Sequence, residues 1–369
     1  MSVQPPIQWT SSPACPALAD DATCTDWNRL NAQRGNHTIL DAHALRAALD
    51  VFGEGNEMLV VGRDREGLAA MMIVRRSGAL QWQTFQPSQL PLGAVVTRSG
   101  VALAEMAASA IQAMPGLCWV LSLTQVDPLP HERPAASKTL RVADYIPTAW
   151  LEVAGSFDDY WATRGKNLRQ NLRKQRKKLA DEGRALKMLM LRSPDEMPAA
   201  IARYGALESS GWKSAEGTAI HPDNAQGRFY TRWLQDAATI GEALVTEYRF
   251  DDRTVAMNLG LLRDGTLIVL KTAYDESLKA VSPAFLLRED ELRAFFAGTE
   301  VKRIEYFGRV MEWHTRLTDH QRTLYHLTQY RWAWLRRLLE ARRRRTPAKP
   351  QGAALAAEAC ADRPSTDQA

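Results

Sequence analysis

The sequence predicts an α+β protein built as two consecutive units, each with a mixed, mostly antiparallel sheet. Three observations lead there. Segments of helical period and strand-like runs alternate along the 369 residues. The stretch EALVTEYRFDDRTVAMNLGLLRDGTLIVLKTAY holds three apolar runs separated by DDR and DG turns, the mark of an antiparallel meander. After Trp150 the helix-and-strand pattern starts afresh, although no motif recurs in the letters themselves. A chain of this length, 45% hydrophobic and 24% charged, can bury two cores of ordinary size.

Taken in order, residues 1–24 are rich in Pro, Ala, Ser and Thr and read as a loose leader. The first unit spans 25–150. DWNRLNAQRG is a short helix. DAHALRAALDVFG is another, started by Asp41 as N-cap and stopped by Gly53. EMLVVGRDREGLAAMMIVRRSGALQWQTF reads as strands joined by Gly-containing turns. VALAEMAASAIQAM is a helix ending at Pro115-Gly116, and LCWVLSLTQV a buried strand. The second unit spans 151–345. It opens with a helix over 157–182 and a strand, LKMLMLR. A helix over 195–209, a Gly-rich loop GWKSAEGTAI and a helix over 223–240 follow. After the three-strand meander come a helix from Pro283 to about Ala297, the strand RIEYFG and a Trp-rich helix from about Leu324 to Arg344. Residues 346–369 form a Pro- and Ala-rich, disordered tail.

The formal charge of +5 and sequence pI of about 9.0 are local effects. Residues 160–178 contribute +8 and 331–349 contribute +7, which leaves the remainder at −10. A general nucleic-acid binder spreads its excess over a broad surface, so that class is disfavoured. RGKNLRQNLRKQRKKL, from Arg164 to Leu179, places Leu168, Leu172 and Leu179 on one stripe at ~100° per residue, with Trp161 ahead of them on the same line. It reads as a docked amphipathic helix with a basic outer face. That face is either plainly solvated or, at the Arg164–Arg173 end, borders an acceptor cleft through Arg164, Arg169 and Arg173. The arginine run at 342–345 is compatible with peripheral contact to an anionic membrane. Four scattered cysteines with no CxxC pair suggest neither a zinc site nor a disulfide framework. With no signal-peptide pattern and no spanning apolar run, the expectation is a soluble, cytoplasmic protein without a metal.

The densest chemistry lies in TLIVLKTAYDESLKAVSPAFLLREDELRAFFAG, residues 266–298. A buried strand ends near Tyr274, and Ser282-Pro283 opens a helix. Unpaired N–H groups at a helix start suit an anion such as a pyrophosphate. Pro283 has no N–H, so the donors would come from Val281, Ser282, Ala284 and Phe285. An ordinary capped helix following a strand is the plain alternative. For a general base the titratable side chains are Glu247, Glu305 and His314. The two glutamates also read as solvent-facing strand positions, and His314 also reads as a structural histidine. Tyr274 and Tyr306 could donate a proton, or could simply be core aromatics. GWKSAEGT offers Trp212 and Lys213, either as an acceptor-binding loop or as a turn with an anchored Trp.

FDDYWATRGKNLRQNLRKQRKKLADEG, GWKSAEGTAI, GRFYTRWLQDAA, VAMNLGLL and KTAYDESLKAVSPAFLL fall in this order. Together they resemble the GNAT acyltransferases of bacterial polysaccharide and cellulose-biosynthesis clusters, relatives of the Fem-type peptidyl transferases. The resemblance is strong over about 156–340 and thinner over 27–150. It implies a GNAT fold, with a GNAT acyltransferase domain over 151–345 preceded by a degenerate GNAT-like unit. It implies acetyl-CoA or another acyl-CoA as donor, and the amine or hydroxyl of a sugar, glycan precursor or other small polar molecule as acceptor. GNAT chemistry would place the thioester carbonyl against backbone N–H groups of Lys271, Thr272 and Ala273, where adjacent strands splay. Ala284 stands where the family shows Gly. His314 and Arg316 stand where many members have a Lys near a Trp. The alternatives are a Fem-like transferase, for which an aminoacyl-tRNA would be the one nucleic-acid partner, and a catalytically inactive GNAT-fold binding module.

Overall fold

The computed structural model describes residues 7–209 and 220–345. The expected tail, 346–369, lies outside the described residues. The chain opens with strand β1 (Gln8–Pro13), a short helix α1 (Ala14–Ala17) and helix α2 (Asp21–Ala32). The region read as a loose leader is therefore regular structure over most of 8–24. β1 pairs antiparallel with β2 (Met58–Asp64), from Gln8 opposite Arg63 to Pro13 opposite Met58. As an outer strand exposed on both faces, it carries no apolar alternation to betray it. Helix α3 (Ala42–Phe52) starts where Asp41 accepts the His43 N–H and stops at Gly53. There follow β3 (Gly67–Gly78), β4 (Gln81–Thr84), β5 (Val95–Thr97), α4 (Leu103–Ala113), β6 (Val120–Val126) and β7 (Leu140–Glu152).

The second half begins with α5 (Phe157–Thr163) and α6 (Lys166–Asp181). The single helix expected over 157–182 is broken, because Arg164 and Gly165 are extended. Then come β8 (Leu186–Leu191), α7 (Met197–Ser209), α8 (Ala225–Thr239), β9 (Ala243–Phe250), β10 (Arg253–Arg263), β11 (Thr266–Tyr274), α9 (Pro283–Ala297), β12 (Arg303–Tyr306), α10 (Glu312–Thr315), β13 (Gln321–Tyr330) and α11 (Ala333–Arg345). The Trp-rich helix expected from Leu324 begins only at Ala333. Residues 321–330 form a strand instead, with two Thr and two Tyr among its ten residues and with Leu324, Tyr325, Leu327 and Tyr330 buried.

All strands join one 13-stranded sheet, ordered β1-β2-β3-β4-β6-β13-β7-β12-β11-β10-β9-β8, with β5 on β3. Only β4/β6 and β11/β12 pair in parallel; the other pairs are antiparallel. The order reads the same from both ends. β1 to β4 and β6 match β8 to β11 and β12, and each half carries its one parallel pair at the same place. This is an internal duplication of form without repeated letters. The strands at the middle are exchanged. β7 follows β6 in the chain but lies against β12, while β13 follows β12 but lies against β6. The division at residue 150 drawn from the sequence falls inside β7.

Successive strand residues face opposite sides, and each side is covered. Leu59, Met71 and Ile73 share one continuous core with Val245, Met257 and Leu259, under α2, α3, α7 and α8. Phe52 of α3 meets Phe229 of α8 edge-on at 5.2 Å. On the other side Val60, Met72 and Val74 pack under α4. In the second half Leu244, Tyr248 and Leu267 pack under α5, α6 and α9. The leucines of α6 (Leu168, Leu172 and Leu179) are buried there as expected, together with Gln175.

Candidate active site

Two parallel strands that pair at one end and separate at the other leave a wedge. β11 and β12 pair only over Thr266–Ile268 against Arg303–Glu305. From Val269 to Tyr274, β11 keeps β10 on one side and has no β12 partner on the other. The register on β10 skips Leu270, a bulge that bends the strand where the wedge opens. A cavity of about 900 Å³ occupies this place, near the upper end of ligand-pocket sizes. Its walls are the α5–α6 junction, the end of α7, the end of β11 from Val269 to Tyr274, the start of α9 and the segment from Tyr306 to Asp319.

The corresponding wedge of the first half is closed. β4 and β6 pair over Gln81–Gln83 against Val120–Ser122. Segment 85–94 then packs between the diverging ends with Phe85, Leu90 and Leu92 buried. The Gly93 N–H donates to the Thr124 carbonyl. A Cβ on Gly93 would lie 2.3 Å from that oxygen and 2.6 Å from Thr84 Oγ1, so only glycine lets the plug seat this deeply.

In the open wedge, Lys271, Thr272, Ala273 and Tyr274 line the cavity, as do Ser282, Ala284 and Phe285. The helix start is more committed than sequence alone suggested. The Ser282 N–H donates to Lys279, and the Phe285 N–H donates back to Ser282. Ser282 takes a left-handed conformation, φ 52°. Val281 is packed in the core and does not line the cavity. Of the four donors expected, the Ala284 N–H is the one at the cavity wall without an acceptor among the described residues. Three cationic side chains line the same cavity: Lys279, Arg316, and Arg288, whose guanidinium stacks 3.8 Å over Trp313.

His314 also lines the cavity, buried and stacked on Trp313 at 3.5 Å. Its Nδ1 accepts the Met311 N–H at 2.9 Å. In the neutral ring that fixes the hydrogen on Nε2, which leaves that nitrogen a donor. Burial, with Arg288 nearby, pushes its pKa down to about 3. The expected role as general base is therefore not the one this geometry supports. Glu305 is corrected as well. It points away from the cleft and holds Arg303 and Arg322, the latter also paired with Asp127 at 2.7 Å. It lines a separate cavity of about 470 Å³ on the other face of the sheet. Glu247 is buried and bound by Arg203, Arg249 and Thr254, and those partners hold its carboxyl below the usual range against the opposing effect of burial.

Of the basic residues in 164–179, only Arg164 lines the cavity; it donates to the Leu317 carbonyl at 3.0 Å and lies over Tyr160. The α6 residues on the wall are Asn167, Leu168 and Asn171. Arg169 turns back to the Arg164 carbonyl, and Arg173 is exposed away from the cleft. Trp212 and Lys213 lie outside the described residues. The carboxylate that sequence reasoning missed is Glu208, at the end of α7. It is buried, lines the cavity, accepts the Ile220 N–H at 2.9 Å and sits 3.4 Å from Lys271 Nζ. Nothing in ARYGALES distinguishes it from a solvent-facing helical glutamate. Among the described residues no cluster of His, Cys, Asp or Glu could hold a metal, and no helix is long and apolar enough to cross a membrane.

A splayed parallel pair facing a helix start is the arrangement of a GNAT acyltransferase. Residues 166–314 match the family model described as "Acetyltransferase (GNAT) domain", so this part of the chain carries an acyltransferase domain. Among solved structures, one similar to it is the C-terminal domain of a putative lysylphosphatidylglycerol synthetase from Agrobacterium fabrum. The identity is 13% and the TM-score 0.53, over 88% of this chain and 97% of that one. A conserved protein of unknown function from Bacteroides thetaiotaomicron matches at 10% identity and TM-score 0.53, over 89% of this chain and all of its own. A tandem GNAT protein from the clavulanic acid biosynthesis pathway matches at 13% identity and TM-score 0.45, over 88% of this chain and 99% of that one. At these identities the first two likenesses are of fold alone. No curated protein matches the chain.

Proposed function

We propose that the second half transfers an acyl group, acetyl in the simplest case, from coenzyme A to an amine or hydroxyl of a small polar acceptor such as a sugar or glycan precursor. The observation that carries the reading is the cavity running from the Ala284 N–H along β11 beyond the end of its pairing with β12. The pyrophosphate of the donor meets the helix start, where an N–H group, the helix dipole and the Lys279, Arg288 and Arg316 side chains favour an anion. The pantetheine arm lies between β11 and β12 and brings the thioester carbonyl to the β11 backbone. Donors there, and the His314 Nε2–H, stabilise the oxyanion as it forms. The acceptor enters past Asn167, Asn171 and Arg164, polar groups that suit hydroxyls. Its nitrogen or oxygen bonds to the carbonyl carbon, Glu208 takes the acceptor proton, and the C–S bond breaks. Tyr274 or Tyr306 protonates the departing thiolate; burial raises the Tyr306 pKa and keeps it in the donor form.

Calorimetric titration with acetyl-CoA tests the donor, and thiol release across an acceptor panel tests the reaction. Ala284→Glu sets a carboxylate where the phosphate would lie. Like charges within about 4–6 Å oppose each other strongly, so acetyl-CoA affinity should fall at least ten-fold with the melting temperature retained. Unchanged affinity in a folded variant removes the phosphate from this helix. Binding of aminoacyl-tRNA in place of acetyl-CoA overturns the donor assignment.

A further inference from the structure

Seven large apolar side chains are exposed among the described residues, and four of them gather at one corner: Leu117, Trp332, Trp334 and Leu338. This is where β13 ends and α11 begins. The Arg331 N–H donates to Trp119, and its guanidinium to the carbonyls of Ile111 and Cys118. Trp332 and Trp334 stack at 5.6 Å, each about 6 Å from Trp119. Leu335 and Leu339 anchor α11 on Val120 and Tyr330. At ~100° per residue, Trp334, Leu338 and Ala341 share an outward side. Trp334 is 54% exposed and Leu338 43%. Charge flanks this apolar strip. Arg337 is exposed beside it, and the sequence continues Arg342-Arg343-Arg344-Arg345 with Glu340 as the one acid in α11.

We propose that this corner docks on the surface of an anionic lipid bilayer. The two tryptophans and Leu338 enter the interfacial layer, and Arg337, exposed beside them, supplies attraction to lipid phosphates. Tryptophan pairs an apolar ring with a polar N–H and favours that layer. A helix with an apolar strip edged by arginine lies in the interface plane and needs no spanning length. The charge pattern of the patch matches a negative surface.

Co-sedimentation of the full chain with phosphatidylglycerol-containing and pure phosphatidylcholine vesicles tests this. The chain should sediment with the anionic vesicles alone and be released by high salt. Arg337→Glu changes the charge by two and should weaken binding by roughly thirty-fold, from about 1 kcal/mol per charge at such a surface. The double variant Trp334→Ser with Leu338→Ser should abolish binding while melting like wild type. Acyl transfer in solution should be unchanged in both, since neither touches the cleft. Equal binding to neutral vesicles, or no binding, overturns the proposal. So does a dimer, seen by light scattering without lipid and lost in the double variant, because the strip is then a self-association surface.

Discussion

His314 and Glu208 divide the polar work of the cleft according to what each is bonded to. His314 spends its Nδ1 lone pair on the Met311 N–H and keeps a donor on Nε2. Its folded pKa of about 3 lies below the ~6.5 of an unfolded histidine. As pH falls through ~6.5 the unfolded chain binds a proton that the folded chain refuses until about 3. Stability is therefore lost across that window, by ~1.4 kcal/mol per pH unit for one such group. His131, pushed down to about 3 mainly by burial, adds to the loss. His314→Gln keeps an acceptor for Met311 and removes one of these protons. Acid melts between pH 6 and 4 should then be shallower by about one proton. The shape of the kcat–pH profile near neutrality should stay as in wild type; disappearance of an inflection near 6.5 would return the base to His314. Glu208→Gln likewise keeps an acceptor for the Ile220 N–H but loses the proton acceptor. It should lower kcat by ~10²–10⁴ with acetyl-CoA affinity within about two-fold. A kcat within ten-fold of wild type would remove Glu208 from the chemistry.

At the scale of the element, what a sequence reveals depends on whether an element's own pattern or its neighbours fix it. The meander β9–β11 and helix α9 are legible because their turns, apolar runs and the Ser-Pro start are local; α9 spans Pro283–Ala297 as expected. β1 was not, because an exposed outer strand needs no alternation. β13 was not, because the Trp- and Arg-rich segment after it extends a helical reading backwards across good strand formers. In the site, the β11 residues and the helix start could be read from their order in the chain. Glu208 could not, since its burial comes from contacts made by α7 far from its own neighbours. The basic helix misled for a related reason. Its charge is obvious in the letters, but the turn of α6 that meets the cleft presents Asn167 and Asn171. The plug of the first half is similarly silent in sequence except for Gly93. Gly93→Ala forces a Cβ against the Thr124 carbonyl, and overpacking of this kind costs about 1–3 kcal/mol. The variant should melt several degrees lower without altering acetyl-CoA affinity in the open wedge. A melting point equal to wild type would mean that the plug yields at no cost.

The whole molecule is held together by its exchanged middle strands. β7 completes the sheet beside β12, β13 completes it beside β6, and the two pair with each other from Gln321 opposite Ala149 to Gln329 opposite Leu140. The Asp127–Arg322–Glu305–Arg303 chain of ion pairs runs across the same seam, with Arg322 on β13 and Glu305 on β12. Such pairs contribute little beyond the cost of burying them, but losing one partner strands the others. The halves therefore share one fold, and the open wedge depends on a strand contributed from the first half. Removing α11 by ending the chain at Tyr330 exposes only a small satellite cluster, so a cooperative melt and the cleft should survive. Ending it at His320 removes β13 and with it the buried Leu324, Tyr325, Leu327 and Tyr330. At about 1.5–3 kcal/mol for each large apolar side chain, the loss reaches the ~5–15 kcal/mol by which a domain is ordinarily stable. It should unfold both halves together, seen as loss of the near-ultraviolet signal from tryptophans in both. A chain ending at His320 that still melts cooperatively, or still binds acetyl-CoA, would show that the second half stands without the exchange.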